Sequence, residues 1–223
     1  KGKDAPIMNF EAQEIILSHN WPGNVRELEN TLQRDFSSSD MKITCLRFAT
    51  ACGISSRLRL DLVLNDFVAS ATKYGVIKIL SDGSPWRPLI DVEDMSRAIL
   101  WSIIRDDYAN NLLSVNIGSN DWNYKIKDLA SAVGGIVKGS LIEINETAEP
   151  DKRSYKVDFS LYKNLAGDFY PKKTLEQAIG ELYSLITKID LPESGFRSTN
   201  FMRLNQLKQL CKFGELDSNL RWK

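Results

Sequence analysis

Apolar residues near the start of the chain recur at helical spacing. Phe10, Ala12, Ile15, Ile16 and Leu17 form one stripe, which predicts a helix over about Phe10 to Ser18 with Asn9 as its cap. Trp21-Pro22-Gly23-Asn24 then reads as a turn, because Pro22 cannot continue the first helix. A second helix is predicted over Val25 to Phe36, with Val25, Leu28, Leu32 and Phe36 on one face. A hairpin of this size is too small to bury a core by itself, so it must pack on something else. Ser37 to Asp40 is a polar break, and beyond it the pattern changes.

Met41 to Thr50 reads as a buried strand, and residues 51–60 as a loop. Asp61 to Ala71 has the stripe of an amphipathic helix (Leu62, Phe67, Val68, Ala71). A strand is expected over Val76 to Leu80, a turn over Ser81 to Pro85, and an extended run over Trp86 to Val92. Glu93 or Asp94 opens the next helix, where an acidic first turn suits the helix dipole, and that helix runs to Arg105. Further on come a strand at Leu113–Ile117, the polar loop GSNDWN, a helix at Lys125–Val133 and a strand at Ser140–Ile144. A charged loop at Glu149–Lys156 leads to a helix at Ser160–Leu165, with Asp158 as its cap. Helices at Leu175–Ile189 and Phe201–Phe213 follow, the last ended by Gly214. Strands alternating with helices predict an α/β fold. They are too few and too scattered for a complete doubly wound sheet.

Composition narrows the function classes. The 223 residues are 43% hydrophobic and 26% charged, as expected of a globular protein. Lysine plus arginine equals aspartate plus glutamate at 29 each. Nucleic acid and anionic membrane surfaces call for a basic excess, so neither is an expected partner. No apolar run reaches membrane-span length, and the first residues lack the apolar stretch of a signal peptide. Cys45, Cys52 and Cys211 form no CxxC pair, and His19 is the single histidine. A zinc site of the usual kind is therefore not expected, and buried thiols in a reducing, cytoplasmic setting are. A serine or cysteine triad would have to use His19 as its base.

GKDAPIMNFEAQEIILSHNWPGNVRELENTLQR resembles the end of the AAA+ ATPase domain of sigma-54-dependent transcription activators, most specifically in WPGNVRELEN. The resemblance covers about residues 1–36 and implies a fragment of the helical lid, with Arg26 as the arginine that senses bound ATP. The 223 residues contain no GxxxxGK[ST] loop to cradle phosphates, so Arg26 is read as a remnant.

From residue 41 to 223 the chain resembles the C-terminal half of the NAD-dependent epimerases and dehydratases, the extended short-chain dehydrogenases that act on nucleotide-diphosphate sugars. The resemblance rests on LRFATACGISSRLRLDLVLNDFVASA, ILSDGSPWRPLIDVEDMSRAI, NIGSNDWNYKIKDLA and DKRSYKVDFS, in that order. It implies an incomplete Rossmann-like fold joined through residues 37–40 to the N-terminal hairpin. A diphosphate calls for arginines, whose planar fork meets phosphate oxygens in pairs. By position, the resemblance implies Arg87 and Arg153 as substrate-phosphate ligands, with Arg57 or Arg59 helping. It implies Asn65 as a substrate contact, and Asn116, Asn120 and Asn123 are loop amides suited to a sugar or base edge.

Two features of that family are missing from these residues. The GxxGxxG turn that receives the NAD pyrophosphate is absent, since Gly134-Gly135 and Gly139 are wrongly spaced. The family's Tyr-x-x-x-Lys pair is absent too, because the WPGNVRELEN helix stands in its place. Tyr74 and Lys78 have the spacing, but they lie after the LRF strand and enclose a glycine at a helix-to-strand transition. NAD is thus implied by the resemblance, while no cofactor is expected on this chain alone. The expected function is binding of a nucleotide-diphosphate sugar without unaided catalysis. The alternatives are a scaffold and an enzyme completed by a partner chain. An unpaired sheet edge further suggests self-association.

Overall fold

The computed structural model describes residues 43–105, 112–148, 153–193, 195–198 and 200–222, with isolated positions between 14 and 31. Arg26 lies outside them. The two N-terminal helices also lie largely outside them; Glu14, Leu17, Ser18, Glu27, Asn30 and Thr31 are the described helical positions. His19 Nε2 lies 3.2 Å from Glu27 Oε1. The chain divides into two compact units, one from residues 1–45 and 106–114, the other from 46–105 and 115–223. The second unit carries nearly all that follows.

Its strands are short. β1 (Ile43–Phe48) pairs with β5 (Leu112–Ile117). β2 (Thr50–Cys52) runs parallel to β4 (Trp86–Asp91), and β4 is antiparallel to β6 (Asn123–Lys125). β3 (Val76–Ile79) runs parallel to β7 (Leu141–Ile144). The single strand expected over Met41–Thr50 is thus two, in different sheets, separated at Ala49. Asn123 in the expected GSNDWN loop starts β6, where Pro88 is its register partner.

Among the described residues of this unit, six helices pack around these strands. α1 (Val63–Tyr74) begins two residues later than its stripe suggests, since Asp61 is engaged by Arg59. It ends at Gly75, whose φ of +66° is the left-handed geometry that glycine tolerates best. α2 (Val92–Ile104) is capped by Asp91, which accepts the Glu93 N–H at 2.8 Å, rather than by Glu93 or Asp94. α3 (Ile126–Ile136) follows β6 directly. α4 (Ser160–Ala166) has Phe159 in the cap position; Asp158 accepts the Ser160 N–H one residue further on. α5 (Leu175–Ile186) opens with a complete capping box between Thr174 and Gln177. α6 (Arg203–Lys212) is shorter at each end than its apolar pattern.

The main core lies between α1, α3, α5 and β3, with Leu64, Val68, Ile77, Leu129, Val133, Ile179 and Leu182 fully buried. Burying each such side chain contributes about 1.5–3 kcal/mol. Asp94 in α2 is buried and satisfied. It meets Arg97 at 2.9 Å and accepts the Lys172 and Lys173 N–H groups at 3.1 and 3.2 Å. The Lys173 ammonium bridges Glu93 at 2.7 Å and Glu181 at 2.8 Å, tying α2 to α5.

Candidate functional site

An open cleft of about 610 Å³ forms where the ends of β2, β3 and β4 meet the start of α1 and the 153–155 segment. Among its lining residues are Thr50, Asp61, Asp66, Lys78, Arg87, Arg153 and Tyr155. Arg87 and Arg153, far apart in the chain, thus face one space. Arg87 projects from β4, where Tyr124 of β6 is its register partner. Its Nη1 donates to the Trp86 carbonyl at 2.9 Å, and its guanidinium carbon lies 5.9 Å from the centre of the Tyr155 ring. That is the range of a cation–π contact.

Arg153 belongs to an irregular segment, so its position depends on what holds residues 153–159. The asparagines do this. Asn123 Oδ1 accepts the Val157 N–H at 3.0 Å, and its Nδ2 donates to the Val157 carbonyl at 3.1 Å. Asn120 Oδ1 accepts the Phe159 N–H at 2.8 Å, and Asn116 Nδ2 donates to the Asp158 carbonyl at 3.2 Å. These amides pair with an unpaired stretch of backbone as a neighbouring strand would. Ser154 Oγ accepts the Trp86 N–H at 3.1 Å, and the Tyr155 N–H reaches the Trp86 carbonyl at 3.4 Å, which joins the segment to β4. The buried Phe159 ring sits against Gly118, where an added Cβ would lie 2.7 Å from ring carbons.

The other sequence-selected residues lie elsewhere. Asn65 is buried, and its amide holds the 53–59 loop. Nδ2 donates to the Gly53 and Arg59 carbonyls at 3.1 and 2.8 Å, and Oδ1 accepts the Gly53 N–H at 3.0 Å. Gly53 itself has φ +94°, and an added Cβ would collide with the Asp91 carboxylate. Arg59 makes a bidentate pair with Asp61, both contacts at 3.0 Å. That hydrogen-bonded guanidinium draws the Asp61 carboxyl below the usual carboxylate range. Arg57 donates to Gln206 of α6. None of these three lines the cleft.

Residue chemistry missed by sequence reasoning completes the lining. Tyr155 stands two positions after Arg153 and lines the same cleft. Lys78 pairs with Glu143 at 3.4 Å across the β3–β7 register. α1 ends at Tyr74 and β3 begins at Val76, so Tyr74 and Lys78 share no helical turn. Asp66 takes both Nη atoms of Arg197, at 2.6 and 3.1 Å, and burial pushes its carboxyl upward despite that pair.

Gly134 and Gly135 lie within the last part of α3, so they form no glycine turn at a helix N-terminus. This glycine pair therefore does not supply the turn that receives the pyrophosphate of NAD. Among the described residues no group of three His, Cys, Asp or Glu side chains is arranged to hold a metal ion, and no helix is long and apolar enough to cross a membrane.

Residues 1–47 match the model of the AAA+ ATPase lid domain, and residues 27–118 match that of the NAD dependent epimerase/dehydratase family. Several solved structures share the fold. An NAD-dependent NDP-hexosamine 5,6-dehydratase involved in tunicamycin biosynthesis is 15% identical, with a TM-score of 0.60 over 74% of this chain and 52% of that one. UDP-glucuronic acid 4-epimerase from Bacillus cereus, solved with UDP-glucuronic acid and NAD, is 19% identical, with a TM-score of 0.59 over 73% of this chain and 50% of that one. UDP-N-acetylglucosamine 4-epimerase from Bacillus cereus is 20% identical, with a TM-score of 0.55 over 73% of this chain and 55% of that one. The chain thus spans about half the length of these solved structures. It resembles two families in overlapping stretches, an AAA+ lid over residues 1–47 and the NAD-dependent epimerases and dehydratases over residues 27–118, and it shares part of the α/β fold of the solved structures.

Proposed function

We propose that the chain binds a nucleotide-diphosphate sugar in the cleft that contains Arg87 and Arg153, with both guanidinium groups on the diphosphate. The observation that carries this reading is the convergence of these two arginines on one space of about 610 Å³, a volume suited to a small ligand. Two guanidinium groups are matched in charge and shape to two phosphates. The resemblance to enzymes of nucleotide sugars supports the same ligand class. Asn65, Arg57 and Arg59 act from behind, by shaping the loop that leads into α1.

Within these 223 residues nothing supplies the glycine turn for NAD or the family's Tyr-x-x-x-Lys pair, so the chain alone performs no redox turnover in this reading. Completion by a partner chain is the second reading. It is favoured by the exposed apolar strip Ile99, Leu100, Ile103 and Ile104 on α2, a pattern suited to burial against another surface. Titration calorimetry with UDP- and GDP-sugars, NAD and ATP tests both. Saturable binding of a sugar nucleotable to this chain, abolished by Arg87→Ala, supports the first reading; NAD binding by this chain or by a partner complex supports the second. Silence toward every sugar nucleotide overturns the first.

A further inference from the structure

A second cavity, of about 290 Å³, lies between residues 119–124 and the start of α5. It shares no lining residue with the arginine cleft. Three aromatic residues, Trp122, Tyr124 and Tyr170, line it together with Asp121 and Glu176. Its other polar side chains are engaged within the chain. The Tyr170 hydroxyl donates to Ser119 Oγ at 3.0 Å, and Ser119 Oγ also accepts the Asp121 N–H at 3.3 Å. Thr174 closes the capping box of α5, and the Lys173 ammonium is held by Glu93 and Glu181 at 2.7 and 2.8 Å. These contacts fix the walls.

Four groups are left over. Among the described residues, the exposed carboxylates of Asp121 and Glu176 have no ion pair or hydrogen bond. Trp122 is only 7% exposed and stands edge-on to Tyr124, with ring centres 6.2 Å apart; its indole N–H has no acceptor there. The Tyr124 hydroxyl has no partner either. Among the described residues, Asp66 Oδ1 is the only wholly buried side-chain oxygen or nitrogen without a partner. The Trp122 N–H and the Tyr124 hydroxyl therefore reach accessible space, and both residues line this cavity. A donor that is mostly withdrawn from water and unpaired is costly, so a ligand that accepts from it gains. Burial, and then the charges of Glu176 and Asp121, push the Tyr124 hydroxyl upward, which sets both carboxylates within electrostatic reach of one point.

Unpaired carboxylates beside aromatic rings repel anions and attract cations, because the ring faces are themselves negative. The volume is at the lower end of small-molecule sites, which span about 300–1,000 Å³, so the occupant is smaller than a nucleotide. We infer that this cavity binds a small organic cation. Asp121 and Glu176 balance its ammonium charge, the aromatic rings pack on it, and the Trp122 N–H donates to an oxygen of the same ligand. The inference is independent of the diphosphate reading.

The test is a ¹H–¹⁵N NMR titration of the full chain with choline, ethanolamine and 3,3-dimethyl-1-butanol, the uncharged carbon analogue of choline. The readout is the indole N–H of Trp122, identified by sequential assignment; the other four of the five tryptophans serve as controls. A saturable shift of the Trp122 signal alone is expected with choline or ethanolamine, with affinity for the uncharged analogue at least tenfold weaker. Asp121→Asn and Glu176→Gln together are expected to weaken cation binding about tenfold, in a variant whose folding is checked by circular dichroism. Either single variant serves if the pair does not fold. Tighter choline supports a grip dominated by the rings, and tighter ethanolamine one dominated by the carboxylates. Equal affinity for the uncharged analogue, unchanged affinity in the folded variants, or no saturable shift with either cation overturns the inference. None of these outcomes touches the arginine reading.

Discussion

One wall of the cleft and the loop behind it use similar polar residues in opposite ways. On one wall, β4 and the 153–155 segment present Arg87, Arg153 and Tyr155 to the cleft. Behind the cleft, the loop from Gly53 to Asp61, of which only Asp61 lines it, contains Arg57 and Arg59 and is held by Asn65. There Arg59 is bound to Asp61, Arg57 to Gln206, and the Asn65 amide to three backbone groups. Arg57 and Arg59 tie the loop together, while Arg87 and Arg153 line the cleft and are candidate ligands. Residue type alone does not separate the two.

That contrast can be broken most forcefully at the structural loop. Asn65→Ala removes the partner of two carbonyls and one N–H in a buried place. It is expected to cost about 3 kcal/mol or more, at about 1–3 kcal/mol for each group left unsatisfied, read by urea unfolding. A loss below about 1 kcal/mol would show that the loop finds other partners. Gly53→Ala forces a side chain onto φ +94° and against Asp91, and a similar or larger loss is expected.

The ligand wall should behave in the reverse manner. Arg87→Ala or Arg153→Ala is expected to weaken sugar-nucleotide binding by about 1.5–3 kcal/mol, with much less effect on unfolding. Unchanged affinity in both variants would remove the site assignment. Asn123→Ala sharpens the comparison. It frees both backbone groups of Val157 and should lower ligand affinity through Arg153, although the amide is read here as touching no ligand. Loss of stability without loss of affinity would separate the clamp from the site.

The smallest effects belong to the surface ties. Arg57→Ala is expected to change stability by less than about 0.5 kcal/mol and to leave binding unchanged. Asp61 has a carboxyl lowered by Arg59, so its contribution is present above the ordinary carboxylate pKa of about 3.9 and lost as pH falls through the lowered value. The stability gap between wild type and Arg59→Met should therefore narrow below about pH 3.9 in urea titrations. A gap constant with pH would assign the effect of Arg59 to packing.

Much of the second unit was legible along the chain. The stripe of α1 and the glycine end of α6 are local signals. Each depends on residues within one or two turns, so the chain carries it without reference to the rest of the fold. Arg87 and Arg153 were legible for a different reason, the resemblance of their surroundings to a known family. Asn116, Asn120 and Asn123 were legible as loop amides suited to a sugar or base edge, but not as clamps, and Asn116 and Asn123 stand in β5 and β6 instead. The backbone they hold lies 34 to 42 residues away, and nothing in a local pattern reports that distance.

The sequence by itself thus determined the alternation of strands and helices, where several of the helices start and stop, and the supply of guanidinium and carboxylate groups. Only the tertiary structure decided how they were used. It split the strand at Ala49 between two sheets, and it paired Arg197 with Asp66 across 131 residues. It brought Arg87, Arg153 and Asp66 onto one cleft. The physical reason is the range of the interactions. Periodicity and capping act between neighbours in sequence, whereas hydrogen bonds and ion pairs act between neighbours in space, and folding chooses those.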